Sequence, residues 1–328
     1  MTKPEGGAQS ATTQLNAARV AGIERMTAPD AERAARFNDS SARSAMDRPL
    51  AFMHIPKTSG SSLIAGLREV LPSTTCIGGF DLSMFGAFDV LEKVDPKVRE
   101  SIYPDVLPPI GGRDFVAGHF AYSTLAKSCP DARVMTVLRE PRSRILSLWM
   151  YWRAVADDAL SAWGTWRDTV RVARQPLLDF LNHPEAACQT DNVAVRMLLW
   201  PHPLIPDAGF IDSASDQCMA GKAAARLKSF AFADVIENPQ FEENVRIWLA
   251  RPFVYPRVNE THMPPELRVR LRDELTQEAL RLLEHRSRLD RPLWLALASE
   301  RIATAEPGTL SDDIFRRTVA RYEGLMAA

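Results

Sequence analysis

Apolar and polar positions along this chain fall into blocks whose period changes. Residues 50–55 form a short, nearly continuous apolar run, ended by Pro56 and the small residues Ser59 to Ser62. That pattern predicts a buried strand and a tight loop. Leu63, Ile64, Leu67, Val70 and Leu71 then recur at helical spacing and predict an amphipathic helix. Strand patterns return three times. Residues 114–117 are a second candidate, closed by Gly118 and His119. Residues 134–138 are a third, stopping at Arg139-Glu140-Pro141. Pro141 suits the first turn of a helix, where its missing N–H costs nothing. Ile145, Leu148, Trp149 and Trp152 form the apolar stripe of that helix. Residues 230–236 are a fourth strand candidate, followed by a helix through Phe241, Val245 and Leu249.

Strands alternating with helices imply an α/β fold: a central parallel sheet covered by helices on its faces. Residues 72–112 are punctuated by Gly and Pro without a strong period, and read as an insertion of loops and short helices at the sheet's rim. The C-terminal third reads as mainly helical, from Pro265 to about Ala298 and again from Ser311. Residues 1–47 are rich in Ala, Thr, Ser and charge, and read as a flexible or loosely helical leader. The expected organisation is a leader over 1–47, one α/β domain over 48–302 and a helical extension over 303–328. No internal repeat is present.

Composition narrows the classes of function. The 328 residues carry a formal net charge of −1, so no global basic field argues for a nucleic-acid partner. Cys76, Cys129, Cys188 and Cys218 are scattered, with no Cys-x-x-Cys pair, and read as reduced structural thiols. None of the six histidines sits at ligand spacing from a cysteine, so no metal site is expected. No stretch approaches the roughly 20 apolar residues of a membrane span. No apolar core of a secretory signal is visible, and the expected address is the cytoplasm. Ala- and Arg-rich segments at 31–36 and 223–227 point to a bacterial source.

The loop after the first strand carries the strongest chemistry. A helix start offers unpaired backbone N–H groups and a partial positive charge. Small residues let those groups approach an anion. Thr58, Ser61 and Ser62 add hydroxyls, and Lys57 adds a full charge. The loop therefore reads as a phosphate or sulfate cradle, or as an ordinary turn capped by serines. It is not the NTPase P-loop, in which the lysine ends the motif; here Lys57 comes early and Gly60 is the loop's single glycine.

Arg139 closes the third strand, and Ser147 lies eight residues on. Ser143 and Ser147 are one helical turn apart, with Arg139 just before the same helix. A guanidinium fork with a serine hydroxyl suits a phosphate; the alternative is a structural arginine with Ser147 bonding back to a helix carbonyl. His119 follows Gly118 at a strand's end, where parallel sheets present ligand-facing residues. An imidazole with an ordinary pKa near 6.5 is a workable base at neutral pH. His54 sits inside its strand and reads as packing or as orienting Lys57.

These residues together resemble a family of sulfotransferases that includes heparan sulfate 2-O-sulfotransferase and many bacterial relatives. The segment from His54 to Ser62 fits that family's His-Ile-Pro-Lys-Thr-(small)₄ loop. The segment from Thr136 to Ser147 is similar to its Leu-Arg-Asp-Pro-x-x-Arg-x-x-Ser motif, with Glu140 where Asp is usual and Arg144 also matching. The two motifs stand in the family's order, about 80 residues apart. The resemblance implies a P-loop-like three-layer fold and transfer of a sulfuryl group from 3′-phosphoadenosine 5′-phosphosulfate (PAPS) to an acceptor hydroxyl, with a carbohydrate or glycoconjugate as acceptor and no metal requirement. It implies that Lys57, Thr58, Ser59, Gly60, Ser61 and Ser62 bind the 5′-phosphosulfate. It implies that Arg139 and Ser147 hold the 3′-phosphate, and that His119 is the base with Lys57 assisting the leaving oxygen.

The resemblance spans roughly residues 49–298. Asn192 and Arg196 look like its Asn-x-x-x-Arg helix and are candidate ligand contacts, or else members of an ion-pair network. Arg257 to Thr261, with Asn259, resembles its late loop near the nucleotide. Tyr151, Trp152, Trp163 and Trp166 are candidates for an acceptor platform or for helix-core packing. Two other readings stay open: a nucleotide-dependent phosphotransferase working with Mg²⁺ and ATP, and a catalytically silent module that binds 3′-phosphoadenosine 5′-phosphate (PAP).

Overall fold

Five parallel strands form the centre of the protein. The computed structural model describes residues 48–71, 76–88, 91–104, 106–109, 115–256, 258, 262–303 and 306–327. The expected leader at 1–47 and Asn259 lie outside the described residues, as do Arg257 and Thr261. The strands are β1 (Leu50–Met53), β2 (Cys76–Ile77), β3 (Phe80–Asp81), β4 (Ile102–Tyr103), β5 (Phe115–Gly118), β6 (Arg133–Leu138) and β7 (Phe232–Val235). The main sheet has the order β2-β5-β1-β6-β7, and every pairing in it is parallel. β3 and β4 make a separate two-stranded parallel pair.

A sheet covered on both faces buries every strand position, which explains runs without alternation. The period of two still decides which face each side chain joins. Leu50, Phe52, Phe115, Ala117, Met135 and Val137 share one core. Ala51, Met53, Val116 and Leu138 belong to the other. The first core is closed by α1 (Gly60–Val70) through Leu63 and Leu67. The other face is covered by α2 (Tyr122–Ser128), α3 (Pro141–Ala154), α4 (Val193–Leu199) and α5 (Asp216–Lys228). α6 (Phe241–Leu249) packs with α1's face through Val245 and Trp248. The helices α7 (Gln277–Arg286), α8 (Asp290–Arg301) and α9 (Pro307–Ala327) complete the helical C-terminal region.

Two expectations needed adjustment. The insertion at the rim contributes a fifth strand to the main sheet, β2, which is too short to show a period. The helical stretch expected from 265 to 298 is broken into several pieces, the last break being a turn at Ser287 to Leu289, after which α8 packs against β7.

α9 is part of the same core. It buries Ser311, Ile314, Thr318, Tyr322 and Met326. Its attachment runs through Glu140, which is fully buried. The Glu140 carboxylate accepts from Ser143 N at 2.8 Å, capping α3, and from Arg142 Nε at 2.8 Å. Ser311 of α9 donates to the same carboxylate at 3.2 Å, and Arg142 reaches Ser311 Oγ and Asp312 at 2.9 Å each. Arg142 also meets Glu284 of α7 at 2.6 Å. One carboxylate therefore starts α3 and joins three helices.

Removing one partner of a buried ion pair leaves the other charge desolvated. Glu140→Ala should destabilise the protein by about 3 kcal/mol, read as a lower urea midpoint, with protease sensitivity appearing first in α9.

Candidate functional site

The carboxyl ends of β1, β5 and β6 lie side by side, with Met53 opposite both Gly118 and Thr136. β1 is the strand from which the sheet grows in both directions, and such a switch point opens a crevice beyond the strand ends. A cleft of about 550 Å³ lies there. Its lining includes His54, Lys57, Ser59, Gly60, Ser61 and Ser62 from the first loop, His119 after β5, and Arg139 and Ser147 from β6 and α3. The fold thus brings together most of the residues singled out from sequence.

The loop itself is held in an uncommon shape. Lys57 and Ser59 both take positive φ, 67° and 66°. Non-glycine residues there are strained, and surrounding contacts must hold them. Arg139 Nη1 donates to the Lys57 carbonyl at 3.1 Å, and Tyr255 Oη donates to the Ser59 carbonyl at 3.2 Å. α1 starts at Gly60 with no side-chain cap and no acidic residue in its first turn. Its first N–H groups therefore face the cleft as a positive dipole end. Gly60 is required by packing: a Cβ there would lie 2.1 Å from the His54 ring.

Thr58 departs from expectation. Its side chain turns inward and its hydroxyl donates to the Ile55 carbonyl at 2.8 Å. It is buried and does not line the cleft. Lys57 does line it, with Nζ 3.8 Å from the centre of the Tyr151 ring. Burial, with Arg139 nearby, lowers the Lys57 pKa to about 8.

The two histidines form a stacked pair. Their ring centres are 4.2 Å apart. His119 Nδ1 lies 2.7 Å from the His54 carbonyl oxygen. A carbonyl only accepts, so Nδ1 carries the proton and Nε2 is left with its lone pair. Burial pulls the His119 pKa down to about 4; the bond to His54 opposes this and Lys57's charge adds to it. His54 is held well below 6.5, chiefly by burial, then by His119 and Lys57. Both rings are neutral at physiological pH, and His119 has an open acceptor nitrogen.

The His119 segment is fixed from the insertion. His119 N donates to Gly79 O at 2.8 Å, and Asp81 N donates to His119 O at 3.2 Å. The buried Asp81 carboxylate accepts from Ala121 N at 2.6 Å and Thr124 Oγ1 at 2.7 Å, at the start of α2. Phe80 stacks on the His119 ring with centres 5.4 Å apart. Neither Phe80 nor Asp81 was singled out from sequence, because the insertion has no period to place them.

Asn192 and Arg196 lie apart from the cleft. Both are buried and neither lines the cleft. Arg196 pairs with Asp191 at 3.1 Å and donates to the carbonyls of Pro206 and Gly209. Asn192 donates to Asp191 at 2.9 Å and accepts from Leu289 N at 2.7 Å. They tie α4 to the turn before α8. A charge this deep is held by the carbonyls and the carboxylate around it. Arg144 lies behind the loop. It donates to Gln189 O at 3.0 Å and lines a separate, water-sized cavity with Thr58 and Asp290.

Tyr151, Trp152, Trp163 and Trp166 all line the cleft. So do His262, Arg321 and Tyr322, which sequence reasoning missed. Arg321 and Tyr322 sit on α9, beyond the reach of the family resemblance, and only tertiary packing brings them in. Among the described residues the lining holds Lys57, Arg139 and Arg321 but no Asp or Glu. Such a donor set fits a polyanion. Among the described residues no cluster of three or more His, Cys, Asp or Glu is placed to hold a metal ion, and no helix is long and apolar enough to cross a membrane. No family model matches the chain, and no curated protein matches it.

Two outcomes follow from this geometry. With His54 and His119 depressed, the unfolded chain binds more protons than the folded one between pH 6.5 and about 4. Stability should rise with pH across that window and be lost as pH falls through it. Melting temperature against pH checks this, and His119→Asn should flatten the slope. Gly60→Ala should cost about 1–3 kcal/mol by overpacking against His54, measured by denaturant unfolding.

Proposed function

We propose that this protein is a PAPS-dependent sulfotransferase that transfers the sulfuryl group to a hydroxyl of an acceptor. The observation that carries the reading is the meeting, at the carboxyl ends of β1, β5 and β6, of a cationic loop with no lining carboxylate among the described residues and a neutral histidine with an open nitrogen. The family resemblance of the two motifs supplies the donor's identity.

In this reading Lys57, the uncapped start of α1 and the hydroxyls of Ser61 and Ser62 hold the 5′-phosphosulfate. Thr58 contributes by shaping the turn. Arg139 and Ser147 hold the 3′-phosphate. His119 Nε2 takes the proton from the acceptor hydroxyl. The acceptor oxygen forms the new O–S bond, and the bridging bond between sulfur and the phosphate oxygen breaks. Its electron pair stays on the phosphate of PAP, where Lys57 offsets the growing charge. Entry of the anionic donor beside His119 favours the imidazolium and draws its pKa up towards the working range. His54 positions His119 through its carbonyl and its ring.

The phosphotransferase reading calls for a Mg²⁺ site. Such sites lean on carboxylates as well as phosphates, and the lining described offers none.

Calorimetry should show PAP binding that Arg139→Ala weakens about 10- to 100-fold, as for a lost charged hydrogen bond. His119→Ala should lower transfer about 10²- to 10⁴-fold while PAP affinity stays within threefold. Normal turnover by His119→Ala would remove the base assignment. A larger rise in melting temperature with Mg²⁺–ATP than with PAP would replace the donor.

A further inference from the structure

The cleft has two unlike halves. The half at the first loop is cationic and hydroxyl-bearing. The other half begins at His119 and runs outward through rings. Phe80 stacks on His119, Trp163 meets Phe80 edge-on at 5.4 Å, and Phe85 lies 5.9 Å from Phe80 and 5.2 Å from Trp166. Leu160 and Val170 fill the wall between them. This wall is chemically blank: its residues present carbon, and the indole N–H groups of Trp163 and Trp166 are its polar atoms.

Gln189, a polar side chain in the cleft lining, is engaged. Its amide nitrogen donates to Met84 O at 2.6 Å. Arg153, one turn beyond Trp149 on α3, is likewise turned away, donating to the carbonyls of Leu267 and Ala173. A carbohydrate brings several hydroxyls per ring, and burying each without a partner costs free energy. A site built to read those hydroxyls would set polar groups against them. Among the described residues this wall sets only two indole N–H groups against them, while Tyr151, His262, Arg321 and Tyr322 line the cleft beside it. An apolar ring, in contrast, gains from burial and from edge or offset contacts with the surrounding aromatics.

We propose that the acceptor is a compact, uncharged, ring-bearing alcohol of apolar character, such as a phenol or a polycyclic alcohol, seated on the Phe80–Trp163–Phe85 wall. The inference rests on the sulfotransferase reading and replaces the carbohydrate that the family resemblance implies. The ring lies on the wall, and its hydroxyl reaches His119. The hydroxyl proton passes to His119 Nε2, the oxygen bonds to sulfur, and the electron pair of the broken bond leaves on PAP.

The full chain is assayed with labelled PAPS against two acceptors, 2-naphthol and an unsulfated heparosan oligosaccharide, while PAP binding is followed by calorimetry. The expected result is 2-naphthol sulfation with kcat/KM at least tenfold above that of the oligosaccharide. Trp163→Ala should lower kcat/KM for 2-naphthol at least tenfold, mainly through KM, with PAP Kd within twofold of the parent. If Trp163→Ala does not fold, quenching of tryptophan fluorescence by 2-naphthol in the PAP complex of the parent protein decides. Oligosaccharide as the sole acceptor, PAP binding without 2-naphthol binding or turnover, or an unchanged KM in folded Trp163→Ala would each overturn the acceptor class and leave the donor reading standing. Absence of PAP binding would overturn the donor reading, and the acceptor inference with it.

Discussion

The hydrogen bond from His119 Nδ1 to the His54 carbonyl joins the ends of two neighbouring parallel strands at the point where the cleft opens. It sets the His119 tautomer, so one nitrogen is held and the other is open. It presses the two imidazoles into a stack, and that stack fills the space beside Gly60. The loop and the candidate base thus meet through one packed contact, the His54 ring beside Gly60. Burial keeps both rings neutral, which removes a charge that would oppose Lys57 and Arg139 across the same small space.

Electrostatics in the cleft follow from which groups face it. Glu140 and Glu237 lie close to Arg139 in sequence or space, yet their carboxylates are turned to other work. Glu140 caps α3 and holds Arg142, and Glu237 accepts from Glu140 N and from Trp294. Burial raises the Glu237 pKa. No carboxylate joins the cations in the described cleft lining, although Arg139 lies near enough to Glu237 to favour its charged form. Asp191 does the converse outside the cleft lining, where it pairs with Arg196 in a buried network.

Four of the five strands of the main sheet, α1 and α3 were legible in advance, because each is a local pattern with a clear period or a clear stop. The loop between β1 and α1 was legible for the same reason: small residues after a buried apolar run mark a tight turn into a helix. β2 was not, since two residues cannot show a period. Phe80 and Asp81 were hidden in the same irregular stretch, and nothing local marks them as supports of His119. Thr58 was misplaced because a hydroxyl in a tight turn can bond outward or to its own backbone, and here it takes the Ile55 carbonyl.

Sequence by itself determined the alternation of strand and helix, the parallel sheet and the order of the two strand–loop–helix motifs. These depend on local hydrophobic period, turn chemistry and chain direction, and all three are written in consecutive residues. Tertiary structure alone decided which side chains share the cleft. Arg321 and Tyr322 of α9, His262 and the rings of the rim insertion come from segments far apart in the chain. Their meeting depends on how helices close over the sheet, which is a property of packing and of buried pairs such as Glu140 with Arg142. The same packing keeps Asn192 and Arg196 out of the cleft lining, because their buried polar groups take partners in Asp191, Leu289 and the carbonyls of Pro206 and Gly209.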